Sequence, residues 1–159
     1  MKELSTKVQG IKAAKVRQMY ELSQGLEDVV SFVIGEPEFD TPKNIIDAAK
    51  SAMDNGETHY TPNSGLLPLR EAVSKHFKNF DKVSYDPANE IFITVGGMQG
   101  LSLSLFILTN PGDEVIVSDP CYTNYFGMIE MNNAVPVTVP VYEEEGFNFT
   151  EERLRSDIS

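Results

Sequence analysis

The segment Val95-Gly-Gly-Met-Gln-Gly100 joins a short apolar run, Ile91, Phe92, Ile93 and Val95, to a stretch of helical character that begins at Met98. An apolar, β-rich run of that length suits an interior strand, and paired glycines let the backbone turn sharply after it. Amide groups at a helix start, backed by the helix dipole, attract a phosphate or a carboxylate. An anionic ligand is therefore the first chemistry these residues suggest. Glycines between a strand and a helix also serve purely structural ends, and Gly-Gly-Met-Gln-Gly matches neither the dinucleotide fingerprint nor the P-loop. A second set, Asp119-Pro-Cys-Tyr-Thr-Asn-Tyr125, offers the rings of Tyr122 and Tyr125 as cover for a flat ligand. Tyr122 taken alone is equally an ordinary half-buried tyrosine. The polar loop Thr58-His-Tyr-Thr-Pro-Asn-Ser-Gly65 carries His59 and Tyr60. No second histidine or cysteine stands near His59, which reads as a solvated loop residue.

Positioning these residues requires a regular frame. The pattern predicts strands over residues 90–95, 114–118 and 135–139, with helices over 98–109 and 122–132 between them. Asn110-Pro-Gly-Asp113 separates the first of those helices from the strand that follows. Two successive βαβ units place three parallel strands in one sheet with right-handed crossovers. Ligands of such sheets bind beyond the carboxyl ends of the strands, so the turns at 96–98 and 119–125 are expected to face one crevice. Upstream, Leu4, Val8, Ile11, Met19 and Leu22 fall at helical spacing, and residues 29–34 suit a short strand. Thr41 can cap a helix whose first residue is Pro42 and whose end is marked by Asn55-Gly56. A further helix is expected over 66–80, a turn over 85–89, a solvated loop at Glu143-Glu-Glu145 and a last helix from near Thr150.

Composition narrows the classes of function. A chain of 159 residues with 41% hydrophobic and 23% charged residues has the makings of a globular core. Its 24 acidic against 13 basic residues give a formal charge of -11, which repels phosphate backbones and argues against nucleic acid or an anionic membrane as partner. A single cysteine, Cys121, makes no internal disulfide and suits a reducing compartment. With no apolar run of membrane-spanning length and no signal peptide, a cytoplasmic protein is expected. No residue set reads as a metal site.

Taken together, Gly35-Glu-Pro-Glu-Phe-Asp-Thr-Pro42, Tyr60-Thr-Pro-Asn-Ser-Gly65 with Leu69-Arg-Glu71, Val95-Gly-Gly-Met-Gln99, Asn110-Pro-Gly-Asp-Glu114 and Asp119-Pro-Cys-Tyr-Thr-Asn-Tyr125 resemble the class I/II aminotransferases, enzymes of fold type I that use pyridoxal phosphate. The resemblance runs from about Ser31 to the chain's end and keeps the family's order. It implies an α/β fold: part of the large domain of the fold type I transferases, a parallel-rich sheet flanked by helices, with an N-terminal helix. Residues 1–34 would be an N-terminal arm and small-domain segment, and 35–159 the N-terminal part of the cofactor-binding large domain. It also implies that Gly96, Gly97 and Met98 hold the cofactor phosphate through backbone hydrogen bonds, that Tyr122 stacks on the pyridine ring, and that Tyr60 reaches the phosphate of the neighbouring subunit of a homodimer. Gly35 would lie against the substrate carboxylate, and the substrates would be an amino acid and a 2-oxo acid. Relatives commonly carry Lys or a small polar residue where Met98 stands, and some carry Trp where Tyr122 stands. Backbone contact and ring stacking survive both changes.

One departure is larger. The family's Schiff-base lysine lies in a Ser-x-x-Lys context, whereas none of the lysines here, the last of which is Lys82, has a serine three residues before it. No catalytic residue is assigned for that reason. The chain is expected to be the N-terminal portion of an aminotransferase, truncated and inactive alone. A pyridoxal-phosphate lyase or synthase of the same fold, or a non-catalytic dimerising remnant, would share these segments. A nucleotide-binding βαβ protein would need a ribose-gripping carboxylate that Asp119 matches only loosely.

Overall fold

Two strands, seven α-helices and one 3-10 turn make up the described part of the chain in the computed structural model, which covers residues 3–11, 15–33 and 35–157. Two compact units are formed, one from Met1–Gly35 with Leu101–Ser159 and one from Glu36–Gly100.

In the first unit, β1 (Glu114–Asp119), α6 (Asn124–Met131) and β2 (Val135–Pro140) form a βαβ element, preceded along the chain by α1 (Thr6–Gly10), α2 (Lys15–Ser23) and α5 (Gly97–Leu108), whose first turn belongs to the second unit. The strands pair in parallel with Val117 opposite Thr138. The Asn110-Pro-Gly-Asp113 turn starts this element: Asp113 accepts the Asn110 amide at 2.7 Å, and the Val135 amide donates to the Asp113 carbonyl at 2.8 Å. These bonds tie the start of β2 to the turn that opens β1. The core holds Val117, Ile129 and Ala134, with Leu105, Val115, Tyr125 and Phe126 packed on it. Val139, at the far end of β2, is fully buried. Beyond it come the 3-10 turn Glu143–Glu145 and α7 (Glu151–Asp157). Arg153 ties the two together, donating to both carboxylate oxygens of Glu145 at 2.6 and 3.1 Å and lying 4.3 Å over the Tyr142 ring. The glutamate run is therefore partly engaged, not wholly a solvated loop.

In the second unit, α3 (Lys43–Asp54) and α4 (Leu67–Phe80) alternate with loops. Gly56, at φ 81°, ends α3 in the left-handed region as expected of a glycine there.

Several expectations are corrected. Residues 90–95 form no strand, so the sheet has two strands and not three. Their one backbone link to the 58–65 loop is Ile93 N–H to the Ser64 carbonyl at 3.0 Å. An apolar run supplies strand propensity, but a ladder of partner hydrogen bonds makes a strand. Val29 to Val33 likewise form no strand, and Ile34 lies outside the described residues. The single helix expected over 4–22 is two helices: Gly10 closes α1 and Ile11 turns extended, at φ -74° and ψ 122°, while residues 12–14 lie outside the described residues. Pro42 precedes α3 as its cap, at φ -53° and ψ 138°, and is not its first helical residue; no side chain caps the helix. Its carbonyl instead accepts the Ile45 amide at 2.9 Å.

Candidate active site

Gly96 sits at φ 80°, a conformation that a Cβ opposes, and it turns the backbone directly into α5. Two side chains brace this bend. Thr94 Oγ1 donates to the Gly96 carbonyl at 3.0 Å, and Gln99 Oε1 accepts the Val95 amide at 2.6 Å. Gly100 closes the brace, since a Cβ there would lie 3.3 Å from Thr94 Oγ1. The amides of Gly97, Met98 and Gln99 then head the helix with no acceptor among the described residues. Space is open beside Gly96 and Gly97, where an added Cβ would meet nothing within 4 Å. Unpaired amides, an open approach and the positive end of a helix dipole are what a phosphate requires. Neither Thr94 nor Gln99 stands out in the sequence alone, although a Gln at the third helical position is the mark of a reciprocal cap.

Tyr122 belongs to the first unit, beyond the carboxyl end of β1 and ahead of α6. Its ring packs edge-on against Tyr125, with centroids 5.5 Å apart and planes at 83°. Its hydroxyl accepts a hydrogen bond from Asn124 Nδ2 at 2.6 Å. The side chain is held by the neighbouring ring and at its tip, while about half of the residue's surface, 52%, stays open. An aromatic face so fixed can receive a planar heterocycle. Cys121 beside it is a half-buried thiol whose pKa is pushed up, first by burial and then by the Asp119 carboxylate. That keeps it protonated at neutral pH and unsuited to act as a nucleophile.

The remaining predicted residues divide between the units. Gly35 lies in the first unit and is exposed, with open space where a Cβ would stand. Tyr60 lies in the second unit, with Gly96, Gly97 and Met98. Its side chain is fully exposed, so it buries no area within its own unit. The end of its loop is fixed to the chain ahead of the Gly96 turn: Ser64 accepts the Ile93 amide, and Gly65 packs on the Ile93 side chain. His59 is exposed, with Nδ1 3.3 Å from the Gly56 carbonyl. Arg70 of α4 is the charged residue that a reading of the sequence misses. It is 8% exposed, and its acceptors are carbonyls 5, 17 and 18 residues away, a set that no local pattern announces.

Asp86 shows the electrostatics of the turn leading to residues 90–95. The Ala88 amide donates to Oδ1 at 2.9 Å and Asn89 Nδ2 to Oδ2 at 2.8 Å. These bonds, the backbone one first, hold its pKa below the ordinary aspartate value against an opposing desolvation, with a lesser lowering from the Arg70 charge. In the unfolded chain Asp86 regains its ordinary value and takes up a proton first as the pH falls. Its stabilisation is therefore complete above that value and is lost as the pH drops through the depressed folded one. Asp86→Asn is expected to flatten the acid limb of a plot of urea midpoint against pH. An unchanged limb would place the pH dependence elsewhere.

The family model for aminotransferase class I and II matches residues 27–159. The chain is 37% identical over 156 residues to aromatic-amino-acid aminotransferase 2 of Thermococcus litoralis, covering 98% of this chain and 40% of that relative. It is 45% identical over 137 residues to the aspartate aminotransferase of Pyrococcus horikoshii, covering 86% of this chain and 35% of that relative. Among solved structures, the aspartate aminotransferase of Thermus thermophilus with maleate superposes with a TM-score of 0.88 at 37% identity, covering all of this chain and 42% of that one. The chain thus spans about two fifths of the length of the curated relatives it matches. Its α/β architecture is part of the fold of the pyridoxal-phosphate-dependent aminotransferases. With the family's model matching from residue 27 onward and the same fold recovered over the whole chain, this chain belongs to the class I and II aminotransferases.

Proposed function

We propose that the whole protein is a pyridoxal-phosphate-dependent aminotransferase that moves an amino group between an amino acid and a 2-oxo acid, working as a cytoplasmic homodimer. The observation that carries this reading is the trio of unpartnered amides at Gly97, Met98 and Gln99, braced by Thr94 and Gln99, in a chain of this family. The residues present fit the cofactor's phosphate: Gly96 sets the bend, and Gly97 and Met98 present amides to an open approach. Tyr122 stacks on the pyridine ring, which its ordered, half-exposed side chain supports. Tyr60, fully exposed in its own unit, serves the phosphate of the partner subunit, and Gly35 borders the substrate carboxylate. In this reading residues 1–34 are the arm and small-domain segment and 35–159 the first part of the large domain.

Pyridoxal phosphate, when bound, supplies the electron sink that lets an amino acid lose its α-proton. This chain's share of the work is to bind and orient. The amides at 97–99 give the phosphate its backbone donors, and the Tyr122 ring restricts the tilt of the heterocycle. The lysine amine that moves the proton is not among these residues, because no Ser-x-x-Lys occurs in them. Residues 1–159 alone are therefore inactive. The test is to titrate the whole protein with pyridoxal phosphate and follow isotopically labelled amino nitrogen from donor amino acids into 2-oxo acids. Stoichiometric cofactor uptake with nitrogen transfer is expected. Ammonia release without transfer, or no uptake, would overturn the reading.

A further inference from the structure

Arg70 is a buried cation whose guanidinium meets no carboxylate in an ion pair among the described residues. Its acceptors are three carbonyls drawn from two separate loops. Nε donates to Gly65 at 3.1 Å, and Nη1 donates to Pro87 at 2.5 Å and Ala88 at 3.0 Å. A buried charge is tolerated only when its donors are satisfied, so these carbonyls are fixed wherever Arg70 is fixed. Arg70 itself is set by α4, its amide donating to the Leu66 carbonyl at 3.1 Å.

The two loops so joined are those that matter for the cofactor reading. Gly65 ends the loop that carries Tyr60. Pro87 and Ala88 begin the chain that runs through Ile93 and Thr94 to the bend at Gly96. Between them, Ile93 N–H bonds the Ser64 carbonyl, and the Gly65 backbone lies so close to Ile93 that an added Cβ would be 2.5 Å from Cγ1. From Ile93 the chain reaches Thr94 and Val95, the residues through which the bend is braced. We propose that Arg70 is a positioning residue that sets, from one guanidinium, both the Tyr60 loop serving the partner's phosphate and the 96–99 turn serving its own. A planar fork donates from separate nitrogens at a fixed spacing, here Nε to one loop and Nη1 to the other, whereas a lysine ammonium donates all three of its N–H groups from one atom and does not reproduce that spacing. This inference rests on the cofactor reading above and adds to it a coupling between the two binding elements of one subunit.

The test is a double-mutant cycle in the whole dimeric protein, with the dissociation constant of pyridoxal phosphate measured by equilibrium dialysis of apo-protein for wild type, Tyr60→Phe, Arg70→Lys, Arg70→Gln and Tyr60→Phe/Arg70→Gln. Loss of the Tyr60 hydroxyl is expected to weaken binding about 10-fold, the worth of one hydrogen bond to a charged group. Arg70→Gln is expected to weaken it at least as much, and Arg70→Lys not to restore it. Once Arg70 is gone, removing the Tyr60 hydroxyl should cost less than about 3-fold more, because coupled residues are not additive. A merely structural Arg70 gives the full 10-fold Tyr60 effect in both backgrounds, which would overturn the proposal, as would wild-type affinity in Arg70→Lys. If Arg70→Gln does not fold, the same cycle is run on Arg70→Lys, where a reduced Tyr60 effect supports the coupling and a full one overturns it. A wild-type protein that takes up no cofactor would overturn the functional reading itself, and this inference with it.

Discussion

Gly97→Asp in the whole protein is expected to lower its affinity for pyridoxal phosphate by about 100-fold or more while leaving the thermal stability of the cofactor-free protein unchanged or slightly raised. The opposed signs come from one location. A side chain at Gly97 meets open space, and its φ lies outside the left-handed region, so aspartate fits without strain. A carboxylate in the first turn of α5 is also favoured by the helix dipole. Yet that carboxylate takes the place of the anion. It competes for the amides of Met98 and Gln99 and repels the phosphate. A hydrogen bond to a charged group contributes about 1.5 to 3 kcal/mol, so losing even one costs roughly ten- to a hundredfold in affinity before repulsion is added. Cofactor titration of Gly97→Asp beside Gly97→Ala, with melting curves of both as cofactor-free protein, measures the two signs separately. Equal affinity in Gly97→Asp and wild type would mean that the phosphate is held elsewhere. A large fall in melting temperature would mean that Gly97 has a packing role its open surroundings do not show.

Gly65→Ala is expected to destabilise the protein by about 2 to 5 kcal/mol. Two independent costs meet at this glycine. Its φ of 88° is a left-handed conformation in which a Cβ costs roughly 1 to 2 kcal/mol. The Cβ would also stand 2.5 Å from Ile93 Cγ1 and 2.6 Å from Ile93 Cβ, an overlap whose relief by shifting side chains and backbone costs about 1 to 3 kcal/mol more. Trimming Ile93 to alanine relieves only part of this, because the nearer atoms include a Cβ that alanine keeps. Urea unfolding of Gly65→Ala and of Gly65→Ala/Ile93→Ala checks both statements. A loss below about 1 kcal/mol in the single variant would show that the contact relaxes freely. The same substitution moves the Arg70 acceptor carbonyl, so cofactor affinity should fall with stability.

How much of this is legible in the sequence differs by element. Gly96 is recognisable because a glycine pair between an apolar run and a helix has few other uses, and the chain does turn there at a positive φ. The strands at 114–119 and 135–140 are also legible, because β-branched residues lie between turn signals. Residues 90–95 mislead because Ile91, Phe92, Ile93 and Val95 have the composition of a strand, while Phe92 and Val95 stand exposed and the segment has no ladder partner. The helix α5 shows the same limit. Its residues are largely apolar, yet none is buried, and Phe106, Ile107 and Leu108 are more than 70% exposed.

Local chemistry determined where the bend at Gly96 falls, which helix it heads and which family the ordered motifs resemble, because glycine, proline and capping residues act within a few positions of themselves. Tertiary structure alone decided that Arg70 is buried, that it grips carbonyls 17 and 18 residues away, and that Gly65 touches Ile93. Those contacts join segments far apart in the chain, and their stabilisation exists only after loop closure has brought the partners together.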